Sequence, residues 1–233
     1  MLKHSIAGFM FALAAGGLAQ AAPIVTQTNL SDSGYQSYVT SLSGTEVAVA
    51  QARIGRPGNA DYEIGLHAAP GFTNSDPLSG GITNLNWVSG RAVAFTLSRV
   101  GDDLTFSMGR YEATYTDAAV SEINMLVFRA ASATASTATF SNLLLNNVSL
   151  AGPSATGSSG RSSNVVEGID AGDFTLTGRV TLSWTGTAPI GSNLAVQIKA
   201  FDAVAVPEPG TLALFGTALM GVALLRRRRT LAP

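Results

Sequence analysis

The stretch Phe174-Thr175-Leu176-Thr177-Gly178-Arg179-Val180-Thr181-Leu182-Ser183-Trp184 decides the fold class. Phe174, Leu176, Gly178, Val180, Leu182 and Trp184 share one parity, and Thr, Arg and Ser fill the other. An extended chain points successive side chains to opposite faces, so this is a strand with one buried and one wet face. Trp184 continues the apolar parity and is expected to be buried.

The same period recurs outward from that strand. Val93, Phe95 and Leu97 alternate, the turn Arg99-Val100-Gly101-Asp102-Asp103 follows, and Leu104, Phe106 and Met108 alternate in their turn. That is a β-hairpin, with Asp102 and Asp103 serving its turn. Further strands are expected at Tyr35 to Leu42, Thr45 to Ile54, Tyr62 to His67, Arg110 to Thr116, Ile123 to Ala130, Ala138 to Leu150 and Leu194 to Phe201. Only Asp117 to Ala133 competes as a helix, and its β-branched content argues against one. Gly152 to Asn164 reads as a mobile Ser/Gly-rich loop. Roughly ten strands with short turns, and no amphipathic helix of useful length, predict an all-β fold, an antiparallel β-sandwich in one domain. No 20–50-residue repeat is evident, which argues against a solenoid.

Composition agrees. Charged residues are 12% of 233, Gly numbers 25, and there is no Cys. Missing cysteines exclude disulfides, thiolate nucleophiles and Cys-ligated metal centres. Between Ala22 and Ala205 there are 9 Arg or Lys against 14 Asp or Glu, a net of −5. A mildly acidic body has no electrostatic footprint for nucleic acid.

The two ends read as addresses. Lys3 precedes a largely apolar run from Ile6 to Leu18. Ala19 and Ala21 then occupy the −3 and −1 positions of a signal peptidase site, so that residues 1–21 are an expected signal peptide and the mature chain starts at Ala22. The run is short for a membrane span; the alternative is a buried N-terminal helix. At the other end, Val206-Pro207-Glu208-Pro209-Gly210 is followed by an uncharged stretch from Thr211 to Leu225 and by Arg226, Arg227, Arg228 and Arg229. The prolines stop a helix entering from the body. The uncharged stretch predicts a single transmembrane helix of roughly 22 Å, short of the ~30 Å hydrocarbon core. The arginines act as a stop-transfer block that favours the cytoplasmic side and leaves the body, 22–205, outside.

Residues 206–233 resemble the PEP-CTERM sorting signal of Gram-negative bacteria, matching its motif, apolar stretch and basic cluster in order. The resemblance implies recognition by exosortase, a membrane cysteine transpeptidase, during transit through the inner membrane, and removal of the tail near the motif. It further implies a place at the cell surface or in an extracellular polysaccharide or biofilm matrix. The competing reading is a plain C-terminal membrane anchor. A second resemblance rests on Asp61-Tyr62-Glu63-Ile64-Gly65-Leu66, Asn86-Trp87-Val88-Ser89-Gly90, the Phe95 hairpin and Phe140-Ser141-Asn142-Leu143-Leu144-Leu145-Asn146. From Ile54 to Phe201 the chain looks like the choice-of-anchor families, type W in particular. Those are exported β domains similar to laminin-G and concanavalin-like jelly rolls, and they imply no activity.

Chemistry is sparse. His67 is the body's one histidine, and no Gly-x-Ser-x-Gly motif offers it a nucleophile, so a surface or turn position is expected for it. Asp61 and Glu63 share a strand face roughly 7 Å apart, within the ~5–10 Å that a glycosidase pair needs, but no aromatic cluster flanks them to hold a sugar. Glu167, Asp170 and Asp173 place hard oxygen ligands on a glycine-bearing turn, the type calcium requires; a solvated turn before the Phe174 strand is the preferred reading. Trp87, beside Asn84, Asn86 and Ser89, is a candidate sugar platform or a core residue. The expectation is a non-enzymatic structural or adhesive protein without a cofactor. The alternatives are a carbohydrate-active hydrolase using Asp61 and Glu63, or a calcium-dependent carbohydrate-binding module.

Overall fold

The structure, a computed structural model, describes residues 24–55, 63–69, 77–82, 86–157, 160–169, 172–191 and 193–204. The predicted signal helix, Asp61, Asp170, the sorting motif and the apolar stretch 211–225 lie outside these. Among the described residues no helix is long and apolar enough to cross a membrane.

The chain opens with β1 (Ile24–Leu30), α1 (Asp32–Ser41), β2 (Ser43–Arg53), β3 (Ile64–Ala68) and β4 (Leu78–Ile82). A meander follows, of β5 (Ala92–Val100), β6 (Asp103–Met108) and β7 (Tyr111–Thr116), closed by the short α2 (Ala118–Ser121). Then come β8 (Met125–Ala131), β9 (Ser136–Leu145), β10 (Val148–Leu150), β11 (Ser154–Thr156), β12 (Arg161–Glu167), β13 (Phe174–Trp184) and β14 (Ala195–Val204). The first sheet runs β1-β12-β8-β14-β2-β3-β4. The second runs β10-β9-β13-β5-β6-β7, with β11 on the first half of β9. Every pairing in both sheets is antiparallel, so the sandwich is as expected.

The deciding stretch is β13, residue for residue, and it lies in the middle of the second sheet. Its apolar parity is buried from Phe174 to Leu182, while Trp184 is only half-buried against the core. Gly178 breaks the row because a side chain has no room. A Cβ there would stand 2.6 Å from Leu143 Cδ2 and 2.8 Å from the Phe95 ring. The two sheets join through aromatic edges: Phe128 of the first meets Phe140 of the second with centroids 5.5 Å apart, and Phe140 meets Phe95 at 5.9 Å, both near perpendicular. Edge-to-face pairs of this kind add to the burial that drives the packing.

Three expectations need correction. Tyr35 to Leu42 forms no strand: α1 occupies Asp32–Ser41. The Ser31 hydroxyl accepts from the Gly34 amide at 3.2 Å, and Asp32 sits in the positive first turn, two features that start helices. Tyr35, Tyr38, Val39 and Leu42 then make an i, i+3, i+4, i+7 face, packed on Met125, Val127, Val165 and Phe201, so an amphipathic helix does exist. Gly152 to Asn164 is no loop either, since it contains β11 and the start of β12. Ser162, Ser163 and Asn164 are buried there. Asn164 is satisfied by the Asn29 amide at 2.9 Å and the Ala151 carbonyl at 3.0 Å, which is how so polar a segment lies inside a sheet. Ala138 to Leu150 splits into β9 and β10 at Asn146 and Asn147, both at positive φ, a two-residue hairpin turn. As its β-branched content argues, Asp117 to Ala133 is no continuous helix: α2 takes only Ala118–Ser121, and β8 takes Met125–Ala131.

Candidate functional site

The first sheet turns Ala50, Ala52, Leu66, Phe128, Ala130, Val196 and Ile198 to the core. Period two therefore sends Gln51, Arg53, His67, Arg129, Gln197 and Lys199 to its outer face. Helix α1 covers one end of that face. Asp32 Oδ1 accepts from Arg129 Nη2 at 2.6 Å, and the Arg129 guanidinium lies 4.1 Å from the Tyr35 ring centroid.

At the other end the face carries an open cleft of about 90 Å³. Its lining follows from register. Gln197 of β14 stands between Arg129 of β8 and Gln51 of β2. One step along, Ala195 stands between Ala131 and Arg53, with Arg161 of β12 beyond Ala131. The alanines make a low floor between Arg161 and Arg53. Gln51 and Arg53 are 3% and 2% exposed, whereas the Arg161 side chain is 53% exposed at the rim. Sequence reasoning missed this cluster. Its signal was the polar parity of four separate segments, which only the strand order brings together.

His67 is not a surface or turn residue. It lies fully buried within β3, its Nε2 3.0 Å from Gln51 Nε2. Gly65 leaves space for it, since a Cβ there would meet His67 Nε2 and Pro77 Cβ at 2.8 Å. Glu63 is also buried, and its carboxylate accepts from the Gly55 amide at 3.1 Å. Its proposed partner Asp61 falls outside the described residues.

The turn carboxylates have separate structural partners. Glu167 accepts from the Tyr38 hydroxyl, and Asp173 accepts from the Gly101 amide at 2.9 Å, pinning the β5–β6 turn. The Gly172 carbonyl between Asp170 and Asp173 accepts from the buried Arg99. Among the described residues no group of three or more His, Asp or Glu side chains could hold a metal ion.

Trp87 occupies the segment entering β5. Its indole Nε1 donates to the Arg53 carbonyl at 2.9 Å, and its ring is half-buried against the core. The Ser89 hydroxyl donates to the Trp184 carbonyl and accepts from the Trp184 amide, both at 2.8 Å, and Gly90 N donates to Leu182 O at 3.0 Å. The segment is thus tied to the end of β13. Beside the ring opens a second cleft, of about 190 Å³, lined by Asn86, Trp87, Val88, Arg91, Val93 and Gly109 together with Ile64. Arg53 thus holds the Trp87 indole through its carbonyl and also lines the basic cleft.

The outer face of the second sheet is covered in hydroxyls. Thr105 and Thr114 pair at 2.8 Å, Thr139 and Ser154 at 2.9 Å, and Thr137 and Thr156 at 3.4 Å. Cross-strand pairs of this kind satisfy each other while facing water.

Compared with known families, residues 205–229 match the PEP-CTERM protein-sorting motif. No curated protein matches the chain. That motif implies export, a membrane-anchored sorting step and exosortase as the processing partner. The chain thus carries, directly after its β-sandwich, the sorting signal that defines PEP-CTERM proteins.

Proposed function

We propose that this is a non-enzymatic adhesive protein of the cell surface or extracellular matrix, which holds polysaccharide in the Trp87 cleft. The observation that carries the reading is the fixed indole beside a cleft of about 190 Å³. That is the volume of about six waters, a size suited to one sugar ring and smaller than most drug-sized sites. An aromatic face stacks on the flat apolar side of a sugar, and a ring already held by the Arg53 carbonyl loses little freedom on binding. Arg91 and Asn86, both exposed in the lining, offer hydrogen-bonding groups to such a ligand. Two further features favour adhesion over catalysis: Glu63 and His67 are buried and engaged by the Gly55 amide and Gln51.

The test uses the full chain in detergent against neutral glycans and the producing cells' own exopolysaccharide. Trp87→Ala is expected to weaken binding by about tenfold or more, in line with a stacking contact of ~1–2 kcal/mol. Arg91→Ala, at an exposed residue, gives a smaller loss with an unchanged melting temperature. A wild-type chain that ignores every glycan overturns adhesion.

A further inference from the structure

We propose that the arginine cleft on the outer face of the first sheet receives a carboxylate of the bound polysaccharide, so that the protein selects uronate-bearing over neutral glycans. The inference rests on the adhesive reading and gives it a ligand class. The body is net negative, so its overall field repels anions. Yet three of its nine cationic side chains, Arg53, Arg129 and Arg161, line one cleft. Acid recognition at this place is therefore local, through guanidinium groups whose planar donors fit a carboxylate.

The protein already shows which group the rim accepts. Asp32 Oδ1 lies 2.6 Å from Arg129 Nη2 and 4.0 Å from Arg161 Nη1. A carboxylate thus sits beside Arg129 and Arg161, with Arg161 held only at the outer limit of an ion pair. Next to it, over Ala131 and Ala195, remains about 90 Å³ backed by the Gln51 and Gln197 side chains. That is room for about three waters: enough for a carboxylate, too little for a sugar ring. The ring stays outside while its acid group enters. Arg53, which lines this cleft, also holds the Trp87 indole through its carbonyl.

The experiment measures binding of the detergent-solubilised full chain to an oligogalacturonate, to the same oligosaccharide with its carboxyls reduced to alcohols, and to inorganic phosphate. The wild type is expected to prefer the uronate by about tenfold, the scale of one charge-assisted hydrogen bond, and to lose that preference in high salt. Arg161→Gln, at the half-exposed rim, abolishes the preference without moving the melting temperature. Asp32→Asn removes the internal competitor and strengthens uronate binding severalfold. Equal binding of the acidic and neutral oligosaccharides overturns the inference and leaves the adhesive reading standing. So does phosphate displacing the uronate at equal concentration, which would mark a general anion site. Uronate binding that survives Trp87→Ala intact but fails in Arg161→Gln sinks the Trp87 site and keeps the arginine cleft.

Discussion

The Leu66 amide of the first sheet donates to the Tyr111 hydroxyl of the second at 2.9 Å, and that hydroxyl donates onward to the Leu78 carbonyl at 2.9 Å. Leu66 and Leu78 face each other in the β3–β4 ladder, where the register has just shifted after Ile64. One phenol therefore stands between a backbone donor and a backbone acceptor at an irregular point, and it ties the two layers together. Burial pushes its pKa up, so it keeps its proton under all ordinary conditions.

Tyr111→Phe keeps the ring, which packs 6.1 Å from Phe106, and removes only the bridge. It leaves Leu66 N and Leu78 O without this partner, at a cost of about 1–3 kcal/mol. Urea denaturation should show a lower midpoint at unchanged slope. An unmoved midpoint would mean that water replaces the hydroxyl at no cost.

Arg99 is 1% exposed at the inner end of β5. Its guanidinium reaches the carbonyls of Val120, Ser121, Ile123 and Gly172, and lies 4.9 Å from the Phe174 ring centroid. These bonds fasten α2 and the turn before β13 to the sandwich. Arg99→Lys keeps the charge but loses the planar fork that serves several carbonyls at once. The expected loss is about 2–3 kcal/mol, with faster amide exchange concentrated around Ile123 and Phe174. A uniform exchange increase across both sheets would argue that the residue matters only for global packing.

How much of this was legible follows from where the sequence repeats its signal. β13 was readable because six positions in one strand agree. The β5–β6 hairpin was readable because two alternating runs flank a polar turn. Tyr35 to Leu42 misled because its Tyr, Val and Thr are strand-prone types, although its apolar spacing is helical and the deciding feature, the Ser31 cap, lies just before it. β12 was hidden by its own composition: Ser162, Ser163 and Asn164 look like loop, and their burial depends on Asn29 and Ala151, which are remote in sequence. The candidate site divides the same way. Trp87 drew attention as a residue type, whereas Arg53, Arg129 and Arg161 become one cluster only through the order β12-β8-β14-β2. No local pattern encodes that order.

Alkaline stability offers a test of how α1 is seated. Burial, partly opposed by Arg129 and helped by Glu46 and Asp32, raises the Tyr35 pKa to about 12. Tyr38 is also raised, by burial and by its hydrogen bond to Glu167. In the unfolded chain both phenols release their protons near pH ~10. Above that point the folded state holds more protons than the unfolded one, so stability falls as pH rises. Their contribution is complete below about pH 10 and is lost as pH climbs through the raised folded values. Denaturation midpoints should decline across that window, and Tyr35→Phe should flatten part of the decline. A Tyr35→Phe profile that parallels the wild type would show that the phenol is not shielded as its place against Met125 and Phe201 requires.

The sorting tail makes the last prediction. The motif at 205–229 places Pro207 and Pro209 before an uncharged stretch and four arginines. Fifteen residues coiled as a helix would reach roughly 22 Å, so spanning the ~30 Å core would need local thinning and arginines reaching for the interface. Such a span suits brief residence in the membrane followed by cutting at the motif, and intact-mass analysis of the exported protein should find no residues beyond the neighbourhood of Pro209. Replacing Glu208 by Gln together with both prolines by Ala should leave the tail attached and the protein in the membrane fraction. Replacing Arg226 to Arg229 by Gln should remove the stop-transfer block instead, letting the chain pass through and appear outside with its tail uncut. The two failures differ in location, which separates recognition of the motif from retention by the arginines. Wild-type protein found outside the cell with its mass intact through Pro233 would overturn the processing step.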